Sequence, residues 1–260
     1  MDQEIYLDRN TWVHRLDPRT KIFLLLTFFV ILPYFQHPLW ILPITLLVIL
    51  HGILSQSLAN LRRIRYLLIV LTLASLVLWN FFSHGPTPLI WVFSIESLLY
   101  SVGRTLIMGS LILEGLIFIS TTRSEEMTQG LIFLGLPYRV GFAISTALRM
   151  VPWIVANAYT ISQAQRSRGL DLESGTLLER LRKFLPLLIP VFLSTLRNTH
   201  VWAMAIESRA FGARPQRTFY LEIQWSWIDR LILILLGAGF SLATYLKIAG
   251  FGNIPGLIRG

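Results

Sequence analysis

Cysteine is absent from the chain, which rules out a disulfide framework, a thiol nucleophile and a thiolate metal site. Charge is scarce as well. Asp, Glu, Lys and Arg make up 14% of the residues, against about 25% in a soluble domain, while 54% are apolar and fall in long runs. That deficit excludes an ordinary soluble domain and points to a membrane protein. Only three of the 23 cationic residues are lysines, Lys21, Lys183 and Lys247. None follows a glycine, so there is no Walker A phosphate loop, and a G-x-S-x-G nucleophile elbow is missing too. The five histidines (His14, His37, His51, His84, His200) lack ligand-like spacing such as H-x-x-x-H. The first 21 residues carry Asp2, Glu4, Asp8 and Asp17 and no apolar h-region, so no cleaved signal peptide is expected.

What is present is arginine and apolar helix. The net charge of +9 is better explained by membrane topology than by nucleic acid, given the apolar bulk. The segment 14–21, H-R-L-D-P-R-T-K, ends where the first apolar run begins. Asp17-Pro18 reads as a helix N-cap with a first-turn proline, and Arg19 and Lys21 are expected at headgroup depth. The uncharged run 22–61 is too long for one span, and His37-Pro38 offers a turn, giving a hairpin of 22–36 and 38–55. Arg62, Arg63 and Arg65 precede a third span at 66–83, and H-G-P-T-P at 84–88 breaks it. A fourth span, 97–120, contains Arg104 and Glu114; Ser124 then offers an N-cap for a helix opening with Glu125 and Glu126. The last apolar stretch is 228–247, where Gly237-Ala238-Gly239 suggests close helix packing, either within the protein or with another membrane protein.

The region 124–227 is different. Charges recur every few residues, yet 140–161 and 185–206 are apolar enough to pass for spans, with an amphipathic turn at 177–184 between them. If both crossed, the loop holding Arg166, Arg168, Arg180, Arg182 and Lys183 would lie outside. If neither crosses and the N-terminus is inside, all the Lys and Arg except Arg104, Lys247 and Arg259 fall on the cytoplasmic side, as the positive-inside rule requires. The expectation is an all-α membrane protein of about five transmembrane helices plus a cytoplasm-facing helical domain. Its divisions are 1–123, with four spans; 124–227, the cytoplasmic domain; and 228–260, the last span and tail.

One short pattern occurs twice in that domain. Residues 164–170 read A-Q-R-S-R-G-L and residues 205–211 read A-I-E-S-R-A-F. Ser167-Arg168 and Ser208-Arg209 each end a long helical run, followed by a glycine able to stop it, Gly169 directly and Gly212 three residues on. A cation at a helix C-terminus is favoured by the macrodipole and leaves its guanidinium free to fork onto a carboxylate. The plainer alternative is that each arginine only caps its own helix. Glu114 and Arg104 stand ten residues apart on one helix, about 15 Å along its axis, so they do not pair directly. A polar path through them, as in a secondary carrier or membrane enzyme, is the competing function, against a packing role for Glu114.

Several segments together resemble the transmembrane T component of energy-coupling-factor (ECF) transporters, ABC-type importers of vitamins and transition metals, including the cobalt/nickel-type T subunits. They are L-D-P-R-T-K at 16–21, S-T-T-R-S-E-E at 120–126 with G-L-P at 135–137, A-L-R-M-V-P at 147–152, and the triplets S-R-G and S-R-A. The resemblance covers nearly the whole chain. It implies two long coupling helices whose triplets, Ser167-Arg168-Gly169 and Ser208-Arg209-Ala210, dock into grooves of two ABC ATPase subunits (a homo- or heterodimer). Arg166, Glu207, Phe211 and Gly212 would support that interface. The family's commonest first triplet begins with Ala rather than Ser, and the second triplet here ends in Ala210 rather than Gly. The resemblance further implies a membrane S component that binds the substrate, and ATP and Mg held by the ATPase partners rather than by this chain. It also implies no catalysis here, a multi-pass location in the plasma membrane with a cytoplasmic N-terminus, and no nucleic-acid partner.

Overall fold

A computed structural model describes residues 9, 11–84, 88–90, 93–171, 176–213, 225–254 and 258–259. Eight α-helices account for most of them: α1 (Pro18–Ile31), α2 (Pro38–Leu54), α3 (Leu61–Phe82), α4 (Ile95–Thr121), α5 (Ser124–Phe133), α6 (Tyr138–Ser167), α7 (Leu177–Ser208) and α8 (Trp227–Ile248). The only extended pieces among the described residues are two- and three-residue pairings, Ser83–His84 with Ile258–Arg259 and Pro88–Ile90 with Phe93–Ser94. This is an all-α membrane protein. By length and apolar composition, Ile64–Phe82, Ile95–Thr121, Tyr138–Ser167 and Trp227–Ile248 are each able to cross a bilayer, and Pro38–Leu54 is a shorter apolar helix. The chain divides into two compact units, one of residues 1–137 with 223–260 and one of 138–222.

The first unit is built around α4, which packs on α2, α3 and α1, while α5 and α8 lean on α1. The buried positions of α4 include Tyr100, Gly103, Ile107, Ser110, Glu114, Ile117 and Thr121, a stripe stepping by three and four residues. Lipid tails give no hydrophobic reason for helices to associate, so small side chains and hydrogen bonds must hold them together. Bonds that tie this helix to its neighbours include Ser97 Oγ to Asn80 Oδ1 (2.8 Å), Thr105 Oγ1 to Ser75 Oγ (3.1 Å), Ser110 Oγ to Thr45 Oγ1 (3.0 Å), and Asn60 Nδ2 to Ser120 Oγ (2.8 Å). Gly103 is obligatory, since a Cβ there would stand 2.5 Å from the Gln36 carbonyl oxygen.

The L-D-P-R-T-K segment anchors the start of α1. Asp17 is its N-cap, accepting from the Arg19 N–H at 2.8 Å, with Pro18 in the first turn. The Asp17 N–H itself donates to Asp229 Oδ1 (3.0 Å), whose other oxygen closes the capping box of α8 on the Ser226 N–H. Lys21 is not a headgroup contact: its side chain is buried and Nζ donates to the carbonyls of His14 (2.9 Å) and Thr121 (2.8 Å), with Glu126 at 3.8 Å. One smaller expectation changes. The N-cap of α5 is Arg123, whose N–H donates to Glu126 Oε2 at 3.5 Å, so Ser124 is already the first helical residue. Gly237 and Gly239 meet no neighbouring atom within 4 Å of where a Cβ would stand, so they form no packed seam within the described chain.

The second unit is a pair of long helices. The amphipathic turn 177–184 and the apolar run 185–206 are one 32-residue helix, α7, opened by a capping box between Thr176 and Glu179. It runs antiparallel to α6. Gln165, near the C-terminus of α6, donates to the Pro186 carbonyl, Asn157 to Ser194 Oγ (2.9 Å), and Phe142 at the start of α6 meets Phe211 beyond the end of α7. The compact unit begins at Tyr138, whereas the expected domain began at 124; the difference is α5, which packs on α1.

Candidate functional site

Both Ser-Arg motifs terminate their helices with the same hydrogen-bond pattern. At the end of α6, the Leu170 N–H donates to the Gln165 carbonyl (3.0 Å) and the Gly169 N–H to the Arg166 carbonyl (2.9 Å). At the end of α7, the Phe211 N–H donates to Ile206 (3.3 Å) and the Ala210 N–H to Glu207 (2.9 Å). These are two Schellman motifs in the same register, with Arg168 and Arg209 each at the C-cap. The left-handed position that follows is Gly169 (φ +88) in the first and Ala210 (φ +57) in the second. Gly212, expected to stop α7, lies two residues past the turn and has its own positive φ of +87. The chain turns at Ala210 although a Cβ disfavours that conformation.

The hydroxyls of both triplets face inward on their own helices, Ser167 Oγ donating to the Gln163 carbonyl (3.1 Å) and Ser208 Oγ to Ala205 (3.0 Å). They are satisfied without a partner molecule, which explains how Ser stands where the resembling family commonly has Ala. Arg168 and Arg209 are exposed, and neither guanidinium has a hydrogen-bond or ion-pair partner among the described residues. Arg166 and Glu207 supply carbonyls to the two turns. Phe211 packs on Phe142 (4.4 Å between ring centroids) and Tyr138 (6.2 Å), pinning the second turn to the start of α6.

Because α6 and α7 are antiparallel, the arginines stand at opposite ends of the pair. Phe142, level with the second turn, and Gln165, just before the first, are separated by roughly 35 Å of helix at 1.5 Å per residue. The two cations therefore serve two places and not one binding pocket.

Glu114 and Arg104 do not meet. Glu114 is fully buried, and its Oε2 lies 3.2 Å from His51 Nδ1 on α2, a partner that sequence spacing did not identify. Arg104 lies over the rings of Tyr100 (4.9 Å) and Trp79 (5.6 Å). Asp229 was also missed; its only sequence signal was the S-W-I-D capping-box pattern at 226–229.

Comparison with known proteins gives a consistent result. The family model described as "Cobalt transport protein" (CbiQ) matches residues 9–220. The chain is similar to proteins called energy-coupling factor transporter transmembrane protein EcfT. That of Streptococcus thermophilus is 26% identical, covering 93% of this chain and 97% of the relative. That of Acidaminococcus fermentans is 28% identical (93% and 95%), and that of Clostridium kluyveri 29% (85% and 87%). With most of its length matched, this chain belongs to the CbiQ cobalt transport protein family, as a transmembrane T component of energy-coupling-factor transporters.

Proposed function

We propose that this T component couples two ABC ATPase subunits, a homo- or heterodimer, to a substrate-binding S component in the same membrane. α6 and α7 are the coupling helices. Arg168 and Arg209 each enter a groove of one ATPase subunit and fork onto a carboxylate or backbone acceptor there, supported by Arg166, Glu207, Phe211 and Gly212. ATP and Mg2+ are held by the ATPases, and this chain carries out no chemistry of its own. Closure of the ATPases moves the coupling helices, and the S component tips in response to release a vitamin or a transition-metal ion. The N-terminus is cytoplasmic, α1, α2, α3, α4 and α8 cross the plasma membrane, and α6 and α7 do not. The observation that carries this reading is the pair of arginine C-caps, built alike and set at opposite ends of an antiparallel helix pair. A merely capping role explains neither the duplication nor two exposed guanidinium groups without partners among the described residues.

The test is co-purification of the ATPases and the S component with Arg168→Ala, Arg209→Ala, the double variant and Arg→Lys, together with uptake. A cap worth about 0.3–1 kcal/mol leaves assembly and transport intact. Truncating a desolvated charge pair costs on the order of 2–5 kcal/mol per site. The double Ala variant is therefore expected to lose the ATPases and keep the S component. Arg→Lys restores only part, because an ammonium cannot make the planar two-donor contact. A double variant that keeps the ATPases and transports normally would refute the coupling role.

A further inference from the structure

α1 and α2 are joined by a short corner, then separate, because α2 packs on α4 and α1 on α8. Between them, within the first unit, lies a trough of about 510 Å³ walled by α1, α2 and α8. It runs from Trp12 and Leu54 at one end to Phe35 and Leu246 at the other, and its wall is almost wholly carbon, His51 being the one ionisable group on it. From Ile232 to Leu246 it follows about 21 Å of α8. An extended hydrocarbon chain fits, and hydrocarbon is the surrounding solvent at this depth.

The two ends differ in charge. At the Trp12 end the indole is 47% exposed, and Arg15, next to the lining residue Leu16, is exposed without a partner among the described residues. Arg9 is held nearby through its bond to Gln56 Oε1 (2.9 Å), two residues beyond Leu54. At the other end Phe35, Trp40 and Phe251 form an aromatic plug, and the cation there, Lys247, is taken up by the Tyr34 ring at 4.1 Å. An amphipathic ring and an unengaged arginine beside an apolar trough are the two elements a phospholipid needs.

We propose that this trough binds one acyl chain of an anionic phospholipid, whose phosphate lies at Arg15 beside Trp12. The cytoplasmic leaflet follows from the orientation proposed above; the binding itself does not depend on it. The wall can be filled without breaking it. Gly239 lies in the trough, nothing stands within 4 Å of where its Cβ would be, and it is mid-helix, so Gly239→Leu occupies the space and improves helix propensity.

The full-length chain is reconstituted in vesicles of equal parts phosphatidylcholine and phosphatidylglycerol, then released gently, and retained lipid is counted by native mass spectrometry. The expected result is one retained phosphatidylglycerol, lost by an order of magnitude in Gly239→Leu with the melting temperature unchanged or raised. Arg15→Glu should retain lipid but lose the preference for phosphatidylglycerol. Equal retention by Gly239→Leu, or no phospholipid on the parent chain, would overturn the site; equal phosphatidylcholine on the parent would overturn the anionic headgroup. In the assembled transporter, a photo-crosslinker at Leu47 should capture lipid, and capture of a polypeptide would assign the trough to a partner helix instead. A reversed orientation would change which leaflet supplies the lipid and leave the retention results intact.

Discussion

Ala210 holds a left-handed backbone conformation that costs roughly 1–2 kcal/mol for a residue with a Cβ, in the motif that presents Arg209. Gly169 performs the same turn beside Arg168 without that cost. Ala210→Gly is expected to stabilise the end of α7 by about 1 kcal/mol, and Gly169→Ala to weaken the end of α6 by a similar amount. Amide exchange across 206–211 and 165–170 reads both: slower in the first variant, faster in the second. Glu114 has a different vulnerability. Glu114→Gln keeps a hydrogen-bonding partner for His51, so transport and assembly should persist. Glu114→Leu strands the imidazole, at about 1–3 kcal/mol, and should lower the melting temperature. Loss of uptake in a fully assembled Glu114→Gln complex would instead place an active role inside the membrane.

The start of α1 and the face of α4 hold the first unit together by different means. The α1 anchor brings charge inside. Burial pushes the Asp17 carboxyl above its usual range, with neighbouring Asp229 adding to the effect and the Arg19 N–H, Arg19 and Lys21 opposing it. A carboxyl that binds its proton more tightly when folded makes the fold less stable as pH rises from about its unfolded value through the raised one. Asp17→Asn should therefore flatten the acid side of a melting-temperature profile. A parent chain whose stability climbs across the acid window would contradict the Asp17 assignment. Along α4 the limit is space. Gly103→Ala drives a methyl against the Gln36 carbonyl, and the overpacking is expected to cost about 1–3 kcal/mol, visible as a lowered melting temperature.

For the molecule as a whole, the open question of side falls on α6, which has the length and composition of a span. The positive-inside rule opposes that crossing because it would export the arginines between α6 and α7. Since the chain has no cysteine, a single introduced thiol is an unambiguous probe. Gln163→Cys, exposed on the last turns of α6, should react with a membrane-impermeant maleimide only from the cytoplasmic face. Labelling from outside in intact cells would mean that α6 crosses, and would remove Arg168 from reach of any cytoplasmic ATPase.

The sequence alone determined the class of protein, the helix positions and the existence of the twin motif. Each depends on local information: apolar run length, proline and cap chemistry at Asp17-Pro18 and His37-Pro38, and charge bias between loops. It also supported the T-component resemblance, which rests on short contiguous segments. Only the tertiary structure decided what those segments do to one another. Lys21 is expected from sequence at headgroup depth and is a buried clamp, because its acceptors, the His14 and Thr121 carbonyls, are brought together where the start of α1 meets the end of α4. Glu114 found His51 63 residues away across a helix contact, where spacing within one helix had only Arg104 to offer. Gly212 looked like the helix stop, yet the turn falls at Ala210, because Phe211 packs on Phe142 and so sets where α7 ends. That the two arginines occupy opposite ends of one helix pair follows from the antiparallel pairing of α6 with α7. No local signal carries that arrangement, because it is set by side chains of one helix meeting those of the other.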